Sequence, residues 1–340
     1  MHIPDGYLSP QTCAIAFAVA VPAIAVASTR VAAQVRGRAI PRLAMLSATS
    51  FLIMMFNLPV PGGTSAHAVG SVLTAIVMGP AAAVVATAVA LLFQALIFGD
   101  GGILAYGANV VNMALIMPLL GLAASRLVAG RSATCSWRRV VAAGVGGYVG
   151  ITAAGLAVGI ELGIQPALFT DAAGNPLYNP YPLAVSLPAM VVAHLVIAGP
   201  AEALVTGAGH AFLARTGQLD DAAQAARRTG LLANPGLVSL GVLATMLLLT
   251  PLGLIAQGTA FGEWAPEELA AQLGRVPAGL ERWAAFWSWS PLPDYSLPDG
   301  DAVAGYWVSA LAGSVLVAGS TFAVFWVAGR LRNRLQVPSE

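Results

Sequence analysis

Long apolar runs, separated by short polar or proline- and glycine-rich turns, recur along the whole chain: Thr12 to Ser28, Leu43 to Val60, His67 to Gly79, Ala81 to Phe98, Ala108 to Ser125, Val140 to Gly163, Leu183 to Leu213, Leu237 to Ala256 and Ala302 to Ala328. Most approach or exceed the roughly 20 residues that a helix needs to cross the hydrocarbon core of a bilayer. The third has only 13 residues, about 20 Å at a rise of 1.5 Å per residue. Length alone would allow it to be a re-entrant loop or part of the fourth run. Arginine placement argues against both. Arg30, Arg36, Arg38 and Arg42 mark one connection as cytoplasmic, and Arg126, Arg131, Arg138 and Arg139 mark another, so an even number of crossings lies between them. Counting the short run gives four, and Pro80 is a place where the helix must break.

The same parity puts Arg215, Arg227, Arg228, Arg330, Arg332 and Arg334 inside and leaves only Arg275 and Arg282 outside. The expected fold is therefore all-α: a polytopic helical membrane protein with a seven-helix bundle, a two-helix C-terminal hairpin and the N-terminus outside. Residues 1–214 form the bundle, 215–235 a polar cytoplasmic linker with helical character, and 236–340 the hairpin with a long outer loop from Gln257 to Asp301. That loop carries Glu263, Glu267, Glu268, Glu281, Trp264, Trp283, Trp287 and Trp289, the pattern of an interfacial helix with tryptophans at headgroup level. A cleaved leader is not expected, because no basic segment precedes the first apolar run and Pro4, Asp5 and Pro10 stand in its place.

Composition agrees with the pattern: 58% of residues are hydrophobic and 9% charged, which settles the class as membrane-embedded. The net charge of +1, with its basic residues in short clusters between apolar runs, gives no nucleic-acid surface. All basic residues are arginine. A phosphate-binding loop needs its lysine, so the chain carries no standard ATPase of its own. Cys13 and Cys135 fall on opposite sides of the membrane in this topology, which excludes a disulfide between them and leaves buried inert thiols.

The most informative chemistry is at the start, Met1-His2-Ile3-Pro4-Asp5-Gly6. The amine of Met1, the backbone nitrogen of His2 and a ring nitrogen of His2 can close a five- and a six-membered ring on one ion. Three nitrogens in a plane suit Ni(II) or Cu(II) better than Zn(II) or Mg(II). The deprotonated amide would offset one charge of a divalent ion, making it easier to bury. The amine must also lose its proton, so affinity should weaken at acid pH. Of the other histidines, only His67 lies near the outer face, after the glycine-containing loop from Pro59 to Ala66, and a tucked-in N-terminus would bring it to the open fourth position. His194 falls near mid-bilayer and His210 near the cytoplasmic end of the same span, where an intramembrane histidine is more often a hydrogen-bonded packing residue than a ligand. Asn109 and Asn112, three apart, either support the folded-in N-terminus or make ordinary interhelical contacts. Glu161 and Glu202 are either relay groups or structural carboxyls. The alanines of the first span (Ala14, Ala16, Ala18, Ala20, Ala23, Ala27) allow close helix packing.

Three motifs in order, Met1-His2-Ile3-Pro4-Asp5-Gly6, Gly62-Gly63-Thr64-Ser65-Ala66-His67, and Phe98-Gly99-Asp100-Gly101-Gly102 with Gly107-Ala108-Asn109, resemble the substrate-binding (M) component of nickel/cobalt energy-coupling-factor transporters over residues 1 to about 230. Residues from about 235 to 335, with Pro291-Leu292-Pro293-Asp294-Tyr295-Ser296-Leu297-Pro298, resemble the two-helix N component of the same systems. The resemblance implies a near-planar four-nitrogen site built by Met1, His2 and His67, with Asn109 and Asn112 as supporting residues. It implies a non-enzymatic uptake component in the plasma (inner) membrane of a prokaryote, partnered by a transmembrane coupling protein and cytoplasmic ATPase subunits. Pro4-Asp5, where cobalt members typically carry Met-Glu, leans toward Ni(II) as transported substrate, with Co(II) the alternative. A different class also fits the composition: a self-sufficient metal/proton antiporter relaying through Glu161, Glu202 and His194. A hydrolytic metalloenzyme does not, because four planar positions filled by protein leave none for water.

Overall fold

A computed structural model describes residues 1–335 except 38, 62–63, 220–233, 257 and 299. Among the described residues, seven helical runs are long and apolar enough to cross a bilayer unaided. The protein is thus a polytopic helical membrane protein, and the arginine-rich ends of its helices define the cytoplasmic side.

The first crossing, α1 (Pro10–Gln34), is started by Ser9, whose hydroxyl accepts the Thr12 amide, and by a proline at its first position, where a missing N–H costs nothing. Helix α2 (Ala39–Met54) follows. It stops short of the expected end at Val60. Asn57, Pro59 and Pro61 cannot continue a helix, and the chain instead forms a small antiparallel hairpin of β1 (Leu58–Val60) and β2 (Thr64–Ala66). The third apolar run is therefore helical only over α3 (Ser71–Met78), and its eight residues reach about 12 Å. His67 to Gly70 enter extended instead of opening a helix. Gly79, at a φ of 89°, and Pro80 make the break before α4 (Pro80–Phe93).

Three π-helical turns interrupt the next crossings: Gln94–Phe98 after α4, Val110–Ile116 between α5 (Tyr106–Asn109) and α6 (Met117–Ala129), and His194–Ala198 between α9 (Leu183–Ala193) and α10 (Gly199–Arg215). Pro118 and Pro200 follow two of them. Each proline removes one rung of the hydrogen-bond ladder and pushes the preceding turn wider. The long helix α7 (Trp137–Gly163) is the centre of the bundle. It approaches α6 backbone to backbone: a Cβ on Gly146 would stand 2.6 Å from the Gly121 carbonyl oxygen. Only small residues permit that spacing. The short α8 (Gln165–Leu168) closes its outer end.

The C-terminal part adds α11 (Pro235–Leu249) and α14 (Ala302–Leu335). Helix α14 packs on α2, with Gly313 against the tip of the Phe51 ring, where a Cβ would overlap it. The outer loop between them contains two short helices, α12 (Pro266–Leu273) and α13 (Ala278–Ala284), in place of one interfacial helix. Trp287 and Trp289 are exposed, as headgroup-level residues should be. Trp264 turns inward instead, its carbonyl accepting from the Tyr7 hydroxyl at 2.8 Å. Most of the linker 215–235, with Arg227 and Arg228, lies outside the described residues. Cys13 is buried as expected, whereas Cys135 is exposed. It falls in the short polar turn between α6 and α7, which no helix covers.

Candidate metal centre

The first nine residues are not a solvated tail. Met1, His2, Ile3, Asp5, Tyr7, Leu8 and Ser9 are all buried, inserted among the outer ends of the helices. The main chain is tied down on every side. Asn109 accepts from the Ile3 amide at 2.8 Å and donates to its carbonyl at 3.1 Å, and Gly102 donates to the same carbonyl at 2.9 Å. The Asp5 carboxylate accepts from the Ile103 and Ala105 amides at 3.1 and 3.0 Å. Burial raises the Asp5 carboxyl above its ordinary value, and these amides offset only part of that. Gln165 accepts from the Ser9 amide, and the Asn179 amide donates to the Tyr7 carbonyl. Gly6 makes the turn at a φ of 91°, with no room for a Cβ beside the Leu280 carbonyl.

This insertion brings the N-terminal nitrogens to His67. The Met1 amine is 3.5 Å from His67 Nε2, and the His2 and His67 rings stack at 4.9 Å with 22° between planes. His67 Nδ1 faces the Ala68 carbonyl at 3.0 Å. A carbonyl only accepts, so Nδ1 carries the proton and Nε2 presents its lone pair to the amine. The position of His67 is set from below. Buried Glu202 accepts from the Val69 and Gly70 amides at 2.7 and 3.0 Å and from Thr206 at 3.0 Å. A carboxylate at the start of α3 is well placed against the helix dipole, and it pins the strand two residues beyond His67.

Two further carboxylates flank the nitrogens. Glu263, from the outer loop of the C-terminal part, lies 2.6 Å from the Met1 amine. Asp100 lies 3.0 Å from His2 Nδ1 and takes a hydrogen bond from the Tyr295 hydroxyl. Burial alone would raise the Asp100 carboxyl, but His2 and then Tyr295 outweigh it and hold the group below the ordinary carboxylate range. Asp294 and Tyr295 sit at φ of 49° and 59°, a conformation that non-glycine residues rarely adopt, and it aims the Tyr295 ring at Asp100 and Gln94. The amine and the His2 ring nitrogen each have a carboxylate partner, so an ion binding there must displace protons from both.

Among the described residues no three His, Cys, Asp or Glu side chains converge well enough to hold an ion by themselves. An ion at this place needs main-chain nitrogen. The geometry brings Met1, His2 and His67 together and adds Asn109. Asn112 does not touch the N-terminal segment; its amide donates to Glu161 at 2.7 Å. A π turn begins at Val110, between the two asparagines. His210 stands apart, with Nε2 3.2 Å from the Thr134 carbonyl near the cytoplasmic end. Sequence reasoning missed Glu263, Gln165 and Asn179, which act across 262, 156 and 172 residues; no local pattern signals such contacts. Asp100 was within reach, since a carboxylate in an otherwise glycine-rich outer turn is an obvious partner for a histidine.

Asn109→Ala removes both hydrogen bonds to Ile3 and leaves its amide and carbonyl buried. We expect metal affinity to fall by about 10- to 100-fold, the usual cost of losing a supporting partner, in a direct titration of the purified chain with Ni(II).

A bundle of apolar helices enclosing a nitrogen-rich pocket at its outer face defines a class, the multi-pass membrane components of transition-metal transport. Comparison with known proteins narrows it. Residues 2–218 match the family described as the cobalt uptake substrate-specific transmembrane region, and residues 236–330 match the PDGLE domain. The chain belongs to that family and joins the two parts in one polypeptide. It is 46% identical over 333 residues to the fused nickel transport protein NikMN of Rhodobacter capsulatus, covering 93% of this chain and 95% of that one. It is 42% identical over 320 residues to a probable fused nickel transport protein LarMN of Lactiplantibacillus plantarum, covering 92% and 93%. A crystal structure of a transition metal transporter, 49% identical, superposes with a TM-score of 0.60 over 65% of this chain and 95% of that one. Family and fold together place the protein in the prokaryotic plasma membrane, among relatives that are transport components and not enzymes.

Proposed function

We propose that this chain captures Ni(II) at the outer face of the membrane for ATP-driven uptake, working with a separate transmembrane coupling protein and cytoplasmic ATPase subunits. The ligands are the Met1 amine, the His2 amide nitrogen, His2 Nδ1 and His67 Nε2, in a near-planar set that suits low-spin Ni(II). His2 Nδ1 is the ring nitrogen that closes the six-membered chelate. The observation that carries the reading is the buried N-terminus, whose amine points at the lone pair of His67. Residues 1–214 form the capture bundle and 236–340 a second domain whose outer loop covers the site through Glu263, with 215–235 joining them. No catalysis is involved, since the protein fills the planar positions. Co(II) uptake by the same architecture is the second reading, favoured by the cobalt in the family description.

The antiporter reading gains nothing from the geometry. Glu161 holds Asn112, Glu202 anchors the His67 strand and His194 faces Met190 and Met1. Among the described residues no hydrogen bond joins the three. The test is uptake into proteoliposomes. With coupling and ATPase subunits present, Ni(II) entry should require ATP and be competed only weakly by Co(II); flux by this chain alone, driven by a pH gradient and indifferent to ATP, would establish the antiporter instead.

A further inference from the structure

The methionine that brings its amine to His67 also carries a thioether, and the surroundings of that sulfur are not those of ordinary packing. Met1 Sδ lies 3.1 Å from His194 Nε2, while His194 Nδ1 faces the Met190 carbonyl at 2.7 Å. The carbonyl requires a donor, so Nδ1 bears the ring proton and Nε2 presents its lone pair. A thioether has no proton to give. Two lone-pair donors therefore face each other in a buried place, each only 3–4% exposed. Ligands at about 2.0 Å (nitrogen) and about 2.3 Å (sulfur) from one ion, set at a right angle, stand about 3.1 Å apart. At the tetrahedral angle the same bond lengths give about 3.5 Å, so the observed 3.1 Å lies at the short end of what one cation spans.

Three independent features hold the pair in place. His194 is the first residue of a π-helical turn, an irregularity found disproportionately at functional sites. Gly155 of α7 lies against the imidazole, and a Cβ there would overlap its Cγ, so only glycine leaves the ring this place. The pair also borders a cavity of about 10 Å³ lined by Thr64, His67, Ala193 and Phe261 among others, about the space that one small occupant needs. The Thr64 hydroxyl is buried there without a partner.

We propose that Met1 Sδ and His194 Nε2, bordering the cavity that Thr64 also lines, form a second metal site that takes a soft or borderline transition-metal ion on the inward side of the nitrogen chelate. His194 follows Leu183 by eleven residues, about 16 Å along the helix axis. The proposal deepens the uptake reading and rests on it for the direction of travel; the ligand pair itself requires only the inserted Met1. One residue then serves both positions, its amine in the outer site and its sulfur in the inner one. The cargo passes inward without returning to water. Unlike the chelate, the inner pair needs no deprotonated amide, and thioether with imidazole accepts Cu(I), which separates the two sites experimentally.

The probe is Cu(I), titrated anaerobically into the full-length chain carrying selenomethionine and followed by X-ray absorption at the copper edge. The expected result is one tightly held Cu(I) with both selenium and nitrogen neighbours. The selenium neighbour should vanish in His194→Ala and His194→Gln, persist in His67→Ala, and accompany about tenfold weaker binding in Gly155→Ala. Thermal unfolding identical to the parent in His194→Gln confirms that the variant is folded. A selenium neighbour that survives His194→Gln, or none in the parent chain, overturns the inner site and leaves water as the cavity's only occupant. Ni(II) affinity of His67→Ala reports separately on the chelate: unchanged affinity sinks the outer site whatever Cu(I) does.

Discussion

Adding a single residue ahead of Met1, or acetylating its amine, is expected to weaken Ni(II) binding by more than about 100-fold. That exceeds the 10- to 100-fold cost typical of an outer-shell partner, because the change removes a proposed ligand and opens the five-membered chelate ring with it. The structure adds a steric reason. Met1 is 4% exposed, and its nitrogen sits between His67 Nε2 at 3.5 Å and Glu263 at 2.6 Å, so an amide carrying further atoms has nowhere to go. Calorimetric titration of the parent and of the extended chain makes the comparison. The same titration carried to acid pH should show affinity falling, because the bound ion competes with protons on the amine, the His2 amide and His2 Nδ1. Equal affinity in the extended chain would mean that the amine is not a ligand.

The second large effect is expected at His67. His67→Ala deletes the one ligand that the proposed site draws from outside the N-terminal segment, and binding should fall by about 100-fold or more, while His210→Ala stays within a factor of about two. The contrast follows from position. His67 stacks on His2 and directs Nε2 at the amine; His210 hydrogen-bonds the Thr134 carbonyl at the other end of the bundle. Because Glu202 fixes the strand through the Val69 and Gly70 amides, the alanine variant should keep its backbone path, and unfolding temperature serves as the control. Equal losses in the two variants would point to general destabilisation and away from ligation.

The crossings were legible because apolar runs and arginine clusters report directly on the bilayer, which acts on each segment separately. Pro80 and Gly79 broke the chain where a proline must. The segment from Pro59 to Ala66 read as a loop, and only its first strand, Leu58–Val60, was taken for the end of a helix; that the two sides pair as a hairpin had no local signal. The π turns were equally hidden, since Pro118 and Pro200 mark a defect without saying how the chain absorbs it. At the candidate metal centre, Met1, His2 and His67, which the fold brings together, could be named from their chemistry. Glu263 could not. It reaches the amine from a separate domain, and its neighbours Glu267 and Glu268 read equally well as a solvated helix start, which they are.

Nitrogen is proposed to hold the ion, while two carboxylates, Asp100 and Glu263, stand close enough to compete for it. X-ray absorption at the nickel edge on the loaded full-length chain, with magnetic susceptibility on the same sample, decides between them. The proposed site gives diamagnetic, four-coordinate Ni(II) in a planar shell made only of nitrogen. Paramagnetic Ni(II) with five or six neighbours, oxygen among them, would place the ion on the carboxylates and contradict it.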